Sequence, residues 1–195
     1  MGYAETKYIS IWKEKNAVMP SPTPELLTYA QQIWAGSHAT AGCVAVAQCR
    51  GNEYLIAISG RIDNSARQLL DYATGSMKPA FMSVEDDENY EGVHPVFYER
   101  AQEFREMQKH ATEKAFQKLD LKAIGTGLCA EKKILTYCLL YRLEIQAMAV
   151  FGEADAKFAS YLDVMSGGIN YLRPCNSCVS SYHDFLDMKL EGPQL

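Results

Sequence analysis

Four segments of the chain carry apolar residues at every third or fourth position. This spacing gathers the apolar side chains on one side of a helix, so each segment is predicted to be an amphipathic helix. The predicted helices cover residues 24–36, 96–119, 129–142 and 174–189. The second should make about six turns, with Phe104 and Met107 among its core-facing residues. A shorter helix is predicted over residues 154–165.

Other segments are predicted to be strands. Residues 42–49 and 53–59 are two apolar runs joined by a short turn, which predicts a β-hairpin. Both runs are apolar on both faces, as is typical of central strands that are covered on both sides. Residues 145–152 and 169–172 favour a buried strand and a short strand. Residues 7–12 alternate between polar and apolar, which favours an edge strand.

Strands that alternate with helices favour a layered α/β sheet. A chain of 195 residues, 48% of them hydrophobic, should form one domain with a full core. The turn-forming residues 16–24 are predicted to separate an N-terminal extension, residues 1–23, from this domain. A less regular segment, residues 61–124, contains an acidic tract before the long predicted helix.

The overall charge excludes some kinds of partner. The net charge of −5 gives no broad basic surface for nucleic acid, although a local basic groove stays open as an alternative. No apolar run is long enough to cross a bilayer, and the N-terminus lacks the charged-then-apolar layout of a signal peptide. The sequence therefore predicts a cytoplasmic protein with no membrane partner. In a reducing compartment, six cysteines more often indicate a metal site than disulfides.

Two cysteines lie at the start of the last predicted helix. Cys175 and Cys178 are three residues apart, so they share a face of the first turn and are able to hold one ion. Pro174 suits that turn, because its missing N–H would have no intrahelical partner there. Cys129 would add a third thiolate and leave one tetrahedral position open, which is typical of a catalytic zinc. The positive ends of both helices would stabilise thiolates.

The other cysteines and a nearby histidine are predicted to lie outside this site. Cys138 follows Cys129 by nine residues, which places it about 180° around the same helix and indicates a core residue. Cys43 and Cys49 lie in and at the end of a strand, where free cysteine is commonly buried. His183 lies about 140° from Cys178 around the helix, which favours a surface or substrate-pocket position over a ligand.

The motif residues Cys129-Ala130-Glu131, followed by Pro174-Cys175-Asn176-Ser177-Cys178, resemble the signature of the zinc-dependent cytidine deaminase superfamily. The resemblance covers roughly residues 24–59 and 125–189 and leaves residues 61–124 as an insertion. It implies one deaminase-like domain over residues 1–195. It also implies a three-layer α/β/α fold with a mixed sheet, and a strand between the two ligand-bearing helices.

The resemblance also implies a mechanism. Zinc held by Cys129, Cys175 and Cys178 would lower the pKa of a bound water. Glu131 is not a ligand and would take the water's proton, passing it to the ring nitrogen and then to the leaving ammonia. Attack would fall on C4 of a cytosine-type base. The substrate would be a nucleoside, a nucleotide or a base in nucleic acid.

The sequence departs from the family pattern at three places. Lys132 stands where an arginine that bridges the thiolates is typical, so Lys132 and Arg173 are expected to share the compensation of thiolate charge. The ribose-binding Asn-x-Glu motif after the second strand is replaced by GRIDNSAR, in which Asn64 is the plausible remnant. Asn64 and Ala130 are the expected substrate contacts. The family's fifth strand has no counterpart after the last helix, and residues 7–12 are the candidate replacement.

Other interpretations of the motif remain open. In a non-catalytic protein, the zinc would only brace two helices, and the insertion would bind a partner. A toxin-type deaminase would act on polynucleotides and have an immunity-type protein partner. No residue distinguishes cytosine from adenine as the substrate base. Because superfamily members often self-associate, the resemblance also raises the expectation of a homo-oligomer.

Overall fold

The computed structural model describes residues 2–15, 18–37, 43–51, 53–59, 78–79, 95–118, 129–152, 162–166, 169–174 and 176–190. The helices in these ranges are α1 (Tyr3–Lys15), α2 (Pro24–Ser37), α3 (Pro95–Lys118), α4 (Ala130–Tyr141) and α5 (Asn176–Leu190). The strands are β1 (Cys43–Cys49), β2 (Glu53–Ile58), β3 (Lys78–Pro79), β4 (Ile145–Gly152), β5 (Leu162–Ser166) and β6 (Ile169–Leu172).

The strands form one sheet in the order β3-β2-β1-β4-β6-β5. Neighbouring strands are antiparallel, apart from the short β3, which is parallel to β2. In the centre, Val46 of β1 lies opposite Ile56 of β2 and Ala149 of β4. Residues 44–47 are all buried, and successive strand residues point to opposite faces, so helices cover both faces of β1.

Two groups of helices cover the sheet. Helix α1 contacts β5, α2 contacts β1 and β4, and a hydrogen bond of 2.6 Å from Gln31 Nε2 to Glu5 Oε1 joins the two helices. Helices α3, α4 and α5 contact one another, and α4 also packs on β1 and β2. The predicted layered α/β architecture is therefore confirmed. No helix in the described ranges is long and apolar enough to cross a membrane.

Most of the locally patterned elements are confirmed. The predicted hairpin is β1-β2, and the predicted strands 145–152 and 169–172 are β4 and β6. The four amphipathic segments are α2, α3, α4 and α5, although α5 begins at Asn176, two residues after Pro174. The domain boundaries predicted from the sequence stay a prediction, because much of the segment 61–124 lies outside the described residues.

The prediction of an edge strand over residues 7–12 is wrong, because these residues belong to α1. Glu5, Tyr8 and Trp12 are the buried residues of this helix, at the spacing of one helical face. Alternation over six residues is too short a pattern to separate a strand from a helix that places two large aromatic side chains one turn apart.

The prediction of a helix over residues 154–165 is also wrong where the structure describes it. Residues 162–166 form β5, and Ser166 pairs with Ile169 at the start of β6. Residues 154–161 lie outside the described residues. The sequence between the paired strands is Gly167-Gly168, a dipeptide that favours a two-residue hairpin turn. That turn signal should have outweighed the helical spacing.

Tyr8 fixes α1 to the sheet. Its hydroxyl accepts a hydrogen bond of 3.2 Å from the Val150 backbone N–H and donates to the Leu172 carbonyl. Its ring stacks on Tyr171, with the ring centroids 5.0 Å apart. The hydroxyl thus bonds to backbone groups of both β4 and β6, at the position where these strands pair. Residues 7–12 were expected to extend the sheet as a strand, but they belong to a helix that covers one face of the sheet.

Candidate metal and acid–base site

The first turn of α4 buries three charged side chains in succession. Glu131 is 6% exposed, and Lys132 and Lys133 are each 2% exposed. Burying a charge costs free energy unless hydrogen bonds or opposite charges replace the water that is lost. Lysine also opposes the positive N-terminal end of the helix dipole. The partners of these three side chains therefore define a structured polar cluster.

Glu131 contacts the last cysteine of the motif, Cys178. The Cys178 thiol, in the first turn of α5, forms a hydrogen bond with the Glu131 carboxyl. Burial raises the pKa of Glu131 above its ordinary value, while hydrogen bonds from the backbone and from Cys178, and then the charge of Lys132, act in the opposite direction. A buried carboxyl group with a raised pKa holds its proton more readily, which suits a group that has to donate a proton as well as accept one.

Lys132 joins the two motif helices. Its Nζ donates a hydrogen bond of 2.9 Å to the Ser177 hydroxyl. Ser177 immediately precedes Cys178, so the Lys132 ammonium lies beside the turn that carries the predicted ligands. Compensation of thiolate charge by Lys132 stays a prediction. Arg173, its expected co-contributor, lies in the partly buried connection between β6 and α5.

Lys133 ties the same turn to the sheet. Its Nζ donates a hydrogen bond of 2.7 Å to the Ile58 carbonyl at the end of β2. No role of Lys133 was predicted from the sequence. Two successive lysines in the first turn interact unfavourably with the helix dipole. This unfavourable position was the sequence signal that the lysines have specific partners.

Cys129 occupies the N-cap of α4, with φ −65° and ψ 134°. Its carbonyl accepts a hydrogen bond of 3.2 Å from the Lys133 backbone N–H, and the cysteine is partly exposed. Cys178 is 1% exposed. Both thiols thus lie at the N-terminal ends of helices, where the dipoles favour thiolates. Ala130, an expected substrate contact, is fully buried.

The third predicted ligand, Cys175, and the expected substrate residue Asn64 lie outside the described residues. Within the part of the chain that the structure describes, no group of three His, Cys, Asp or Glu side chains is placed to hold a metal ion. The described part nevertheless fits zinc in its donor chemistry. Cys129 and Cys178 are soft thiol donors at two helix ends, and α4 and α5 are joined by the Glu131 and Lys132 contacts.

A polar network continues from this site into α3. The Ser181 hydroxyl lies within hydrogen-bond distance of the Ser177 carbonyl and of Gln108 Oε1, and its one hydrogen is donated to either acceptor. Gln108 Nε2 donates a hydrogen bond of 3.1 Å to Asp184 Oδ2. Gln108 is buried, whereas Met107, predicted to face the core, is 40% exposed. The prediction for Met107 is wrong, because the buried residues Ala101, Phe104 and Gln108 follow the helical period more closely.

The remaining predictions near α5 and α4 concern residues outside the site. His183 is exposed, in agreement with a surface position. Tyr182 and Phe185 are buried and pack together, with ring centroids 5.7 Å apart. Cys138 is buried, as predicted for a core residue, and its sulfur lies 4.0 Å from that of Cys49.

No family model, curated protein or solved structure matches the chain. The connection between the motif helices also differs from the expectation drawn from the resemblance. Three strands, β4, β5 and β6, lie between α4 and α5, where the family pattern has a single strand. The motif resemblance and the geometry of the site therefore carry the functional argument.

Proposed function

We propose that the protein is a zinc-dependent hydrolytic deaminase of a cytosine-type base. The observation that carries this proposal is the contact between Glu131 and Cys178. It joins a buried acid–base group to a potential metal ligand from a distant part of the sequence. A catalytic acid–base group must lie close to the metal that activates water. The contact supports the proposal because it brings Glu131 beside Cys178, one of the three proposed ligands.

Cys129, Cys175 and Cys178 would hold the metal. A bound zinc ion supplies Lewis acidity that makes water nucleophilic near neutral pH. Three thiolates bring more negative charge than zinc neutralises, and the ammonium of Lys132 beside Ser177 offsets part of that excess. Arg173 is the second cation in this role. With three protein ligands, a fourth position would stay open for water.

Glu131 would move the protons of the reaction. Its carboxylate accepts a proton from the attacking water and delivers it to the ring nitrogen of the base. In a second transfer, the remaining proton of the attacking water moves to the amino group, which then leaves as ammonia. Burial favours the protonated carboxyl group, so desolvation assists the donating half of this cycle. Ala130 and Asn64 are the proposed contacts to the base and the sugar.

The substrate is proposed to be a cytosine-type base in a nucleoside, a nucleotide or a nucleic acid. The experiment is ammonia release by the full chain from cytidine, deoxycytidine, their phosphates, adenosine, and single- and double-stranded oligonucleotides. Each substrate is tested with zinc-loaded protein and with protein treated with a chelator. We expect release from one substrate class that depends on zinc.

Loss of the activity on chelation and its return on adding zinc would support the proposal. Zinc-loaded protein that releases no ammonia from any member of the panel would contradict it. That outcome would favour the alternative in which zinc only braces α4 and α5.

A further inference from the structure

A second pair of cysteines lies at the other end of α4. Cys49 ends β1, Cys138 lies on α4, and their sulfur atoms are 4.0 Å apart. Both side chains are buried. Cys138 follows Glu131 by seven residues, which is about two turns or roughly 10 Å along the helix. The pair is therefore separate from the candidate metal site.

The surroundings of the pair favour one sulfur as the nucleophile. The two thiols are in hydrogen-bond contact, and this contact lowers the pKa of Cys49 and raises that of Cys138. The charge of Lys189 on α5 favours ionisation of both thiols, and that of Glu53 on β2 opposes it. A thiolate with a neighbouring thiol is the arrangement in which a first oxidation is followed by disulfide formation.

We propose that Cys49 and Cys138 form a reversible disulfide on reaction with hydrogen peroxide. The Cys49 sulfur attacks one peroxide oxygen, the O–O bond breaks, and the products are a sulfenic acid and water. The Cys138 sulfur then attacks the Cys49 sulfur, the S–O bond breaks, and the oxygen leaves as a second water. The two thiols lose two electrons and two protons, and the peroxide is reduced to two waters.

Closing this bond requires a small movement. A disulfide has sulfur atoms about 2.05 Å apart, so the two atoms must approach by about 2 Å. Rotation of the side chains and a slight shift of α4 on β1 supply this movement. Because both thiols are buried, a small oxidant such as hydrogen peroxide has to reach them through local opening of the fold between β1 and α4. The disulfide would then join β1 to the helix that carries Glu131.

The test is mass spectrometry of the full chain after treatment with a few equivalents of hydrogen peroxide, alkylation of free thiols and tryptic digestion. Cleavage after lysine and arginine separates residues 134–142, which contain Cys138, from residues 123–132, which contain Cys129. Cys43 and Cys49 share the peptide 16–50, so the experiment is run on the Cys43→Ser variant as well. We expect peptides 16–50 and 134–142 to be linked in both proteins and separated by dithiothreitol.

A matched measurement guards against variants that fold poorly. The oxidised wild type and Cys43→Ser proteins should melt roughly 5 to 10 °C higher than their reduced forms, because the disulfide restricts the unfolded chain. Cys49→Ser and Cys138→Ser should show no such shift. A wild-type protein that gives no linked 16–50 and 134–142 peptides, or a link that persists in Cys49→Ser, would overturn the proposal.

Discussion

The two faces of the sheet bury different kinds of side chain. On the face covered by α1 and α2, the buried groups are mainly apolar and include the large aromatic residues Tyr8, Trp12 and Tyr171; the carboxylate of Glu5 is also buried there and accepts a hydrogen bond from Gln31. On the opposite face, the first turn of α4 buries Glu131 and two lysines beside α5. The first face gains free energy from apolar burial and from hydrogen bonds to the backbone. On the second face, the burial of charged groups costs free energy.

We propose that this difference separates residues that stabilise the fold from residues that serve the function. An aromatic face of this kind explains the position of α1 without any reference to chemistry. A buried carboxyl group in contact with a thiol is costly, and groups with a strongly perturbed pKa concentrate in functional sites. Substitutions on the first face should therefore change the stability of the fold, and substitutions on the second should change activity or metal affinity.

The largest effect is expected from Glu131→Gln. Without the carboxyl group, the deamination rate should fall about 10²- to 10⁴-fold, because general acid–base catalysis is lost. Zinc content should stay unchanged, and the free energy of unfolding should stay equal or rise, because a buried carboxyl group is removed. Steady-state ammonia release and denaturant titration measure these quantities.

The matched control is Glu144→Gln, whose exposed carboxylate pairs with Arg50 at 3.4 Å. Its activity should equal that of the wild type. A Glu131→Gln protein that deaminates at the wild-type rate would remove Glu131 from the mechanism.

A second test concerns Lys132. Lys132→Met removes the ammonium beside Ser177 and should weaken zinc binding about 10- to 100-fold, as is usual when groups around a metal site are changed. Lys132→Arg keeps the positive charge and should bind zinc more tightly than Lys132→Met. Competition with a coloured chelator measures the affinities. Equal zinc affinity in all three proteins would show that Lys132 does not compensate thiolate charge.

On the aromatic face, Tyr8→Phe should destabilise the fold without affecting the chemistry. The change leaves backbone groups of Val150 and Leu172 without their buried partner, at a cost of about 1 to 3 kcal/mol. Deamination by the folded protein should be unchanged. Tyr3→Phe is the control, since Tyr3 is 83% exposed. Equal unfolding free energies for the Tyr8 and Tyr3 variants would contradict the anchoring role of Tyr8.

The smallest effect concerns alkaline pH. Burial, and then the charge of Glu5, raise the pKa of Tyr171 from 10.0 to about 12. Because the folded state holds this proton more tightly, the stabilisation from Tyr171 is fully present below pH 10.0 and is lost as the pH rises to about 12. Tyrosinate absorbance of the wild type and Tyr171→Phe should differ by one group that ionises late. If the ionising group that is lost in Tyr171→Phe has a pKa near 10.0, this result would contradict the burial of Tyr171.

The sequence predicted those elements whose signal is local. The β1-β2 hairpin and α3 carry long, regular apolar patterns, so their type follows without knowledge of their neighbours. Helix α1 and strand β5 did not follow, because their apolar patterns are too short to separate a helix from a strand. The packing of Tyr8 on β4 and β6 and the pairing of β5 with β6 decide their structure.

The candidate site shows the same division. Motif spacing selected Glu131 and Cys178, which the structure brings into contact. Ser177, Lys133 and Gln108 were missed, because their roles depend on partners from other elements. Such contacts across the fold leave no periodic signal in the sequence. A polar residue such as Gln108 at a buried position of an otherwise apolar helical face is a weak sequence signal of such a contact, because a buried polar group needs a hydrogen-bond partner.

The most direct test of the central claim is the zinc content of the purified full chain, compared among wild type, Cys178→Ser and Cys43→Ser. The proposed three-thiolate site predicts about one zinc per chain in the wild type. Cys43→Ser, altered at the start of β1, should hold the same amount, and Cys178→Ser should lose most of it. A wild-type protein without zinc after growth in zinc-supplemented medium, or a Cys178→Ser protein with the full wild-type content, would contradict the account.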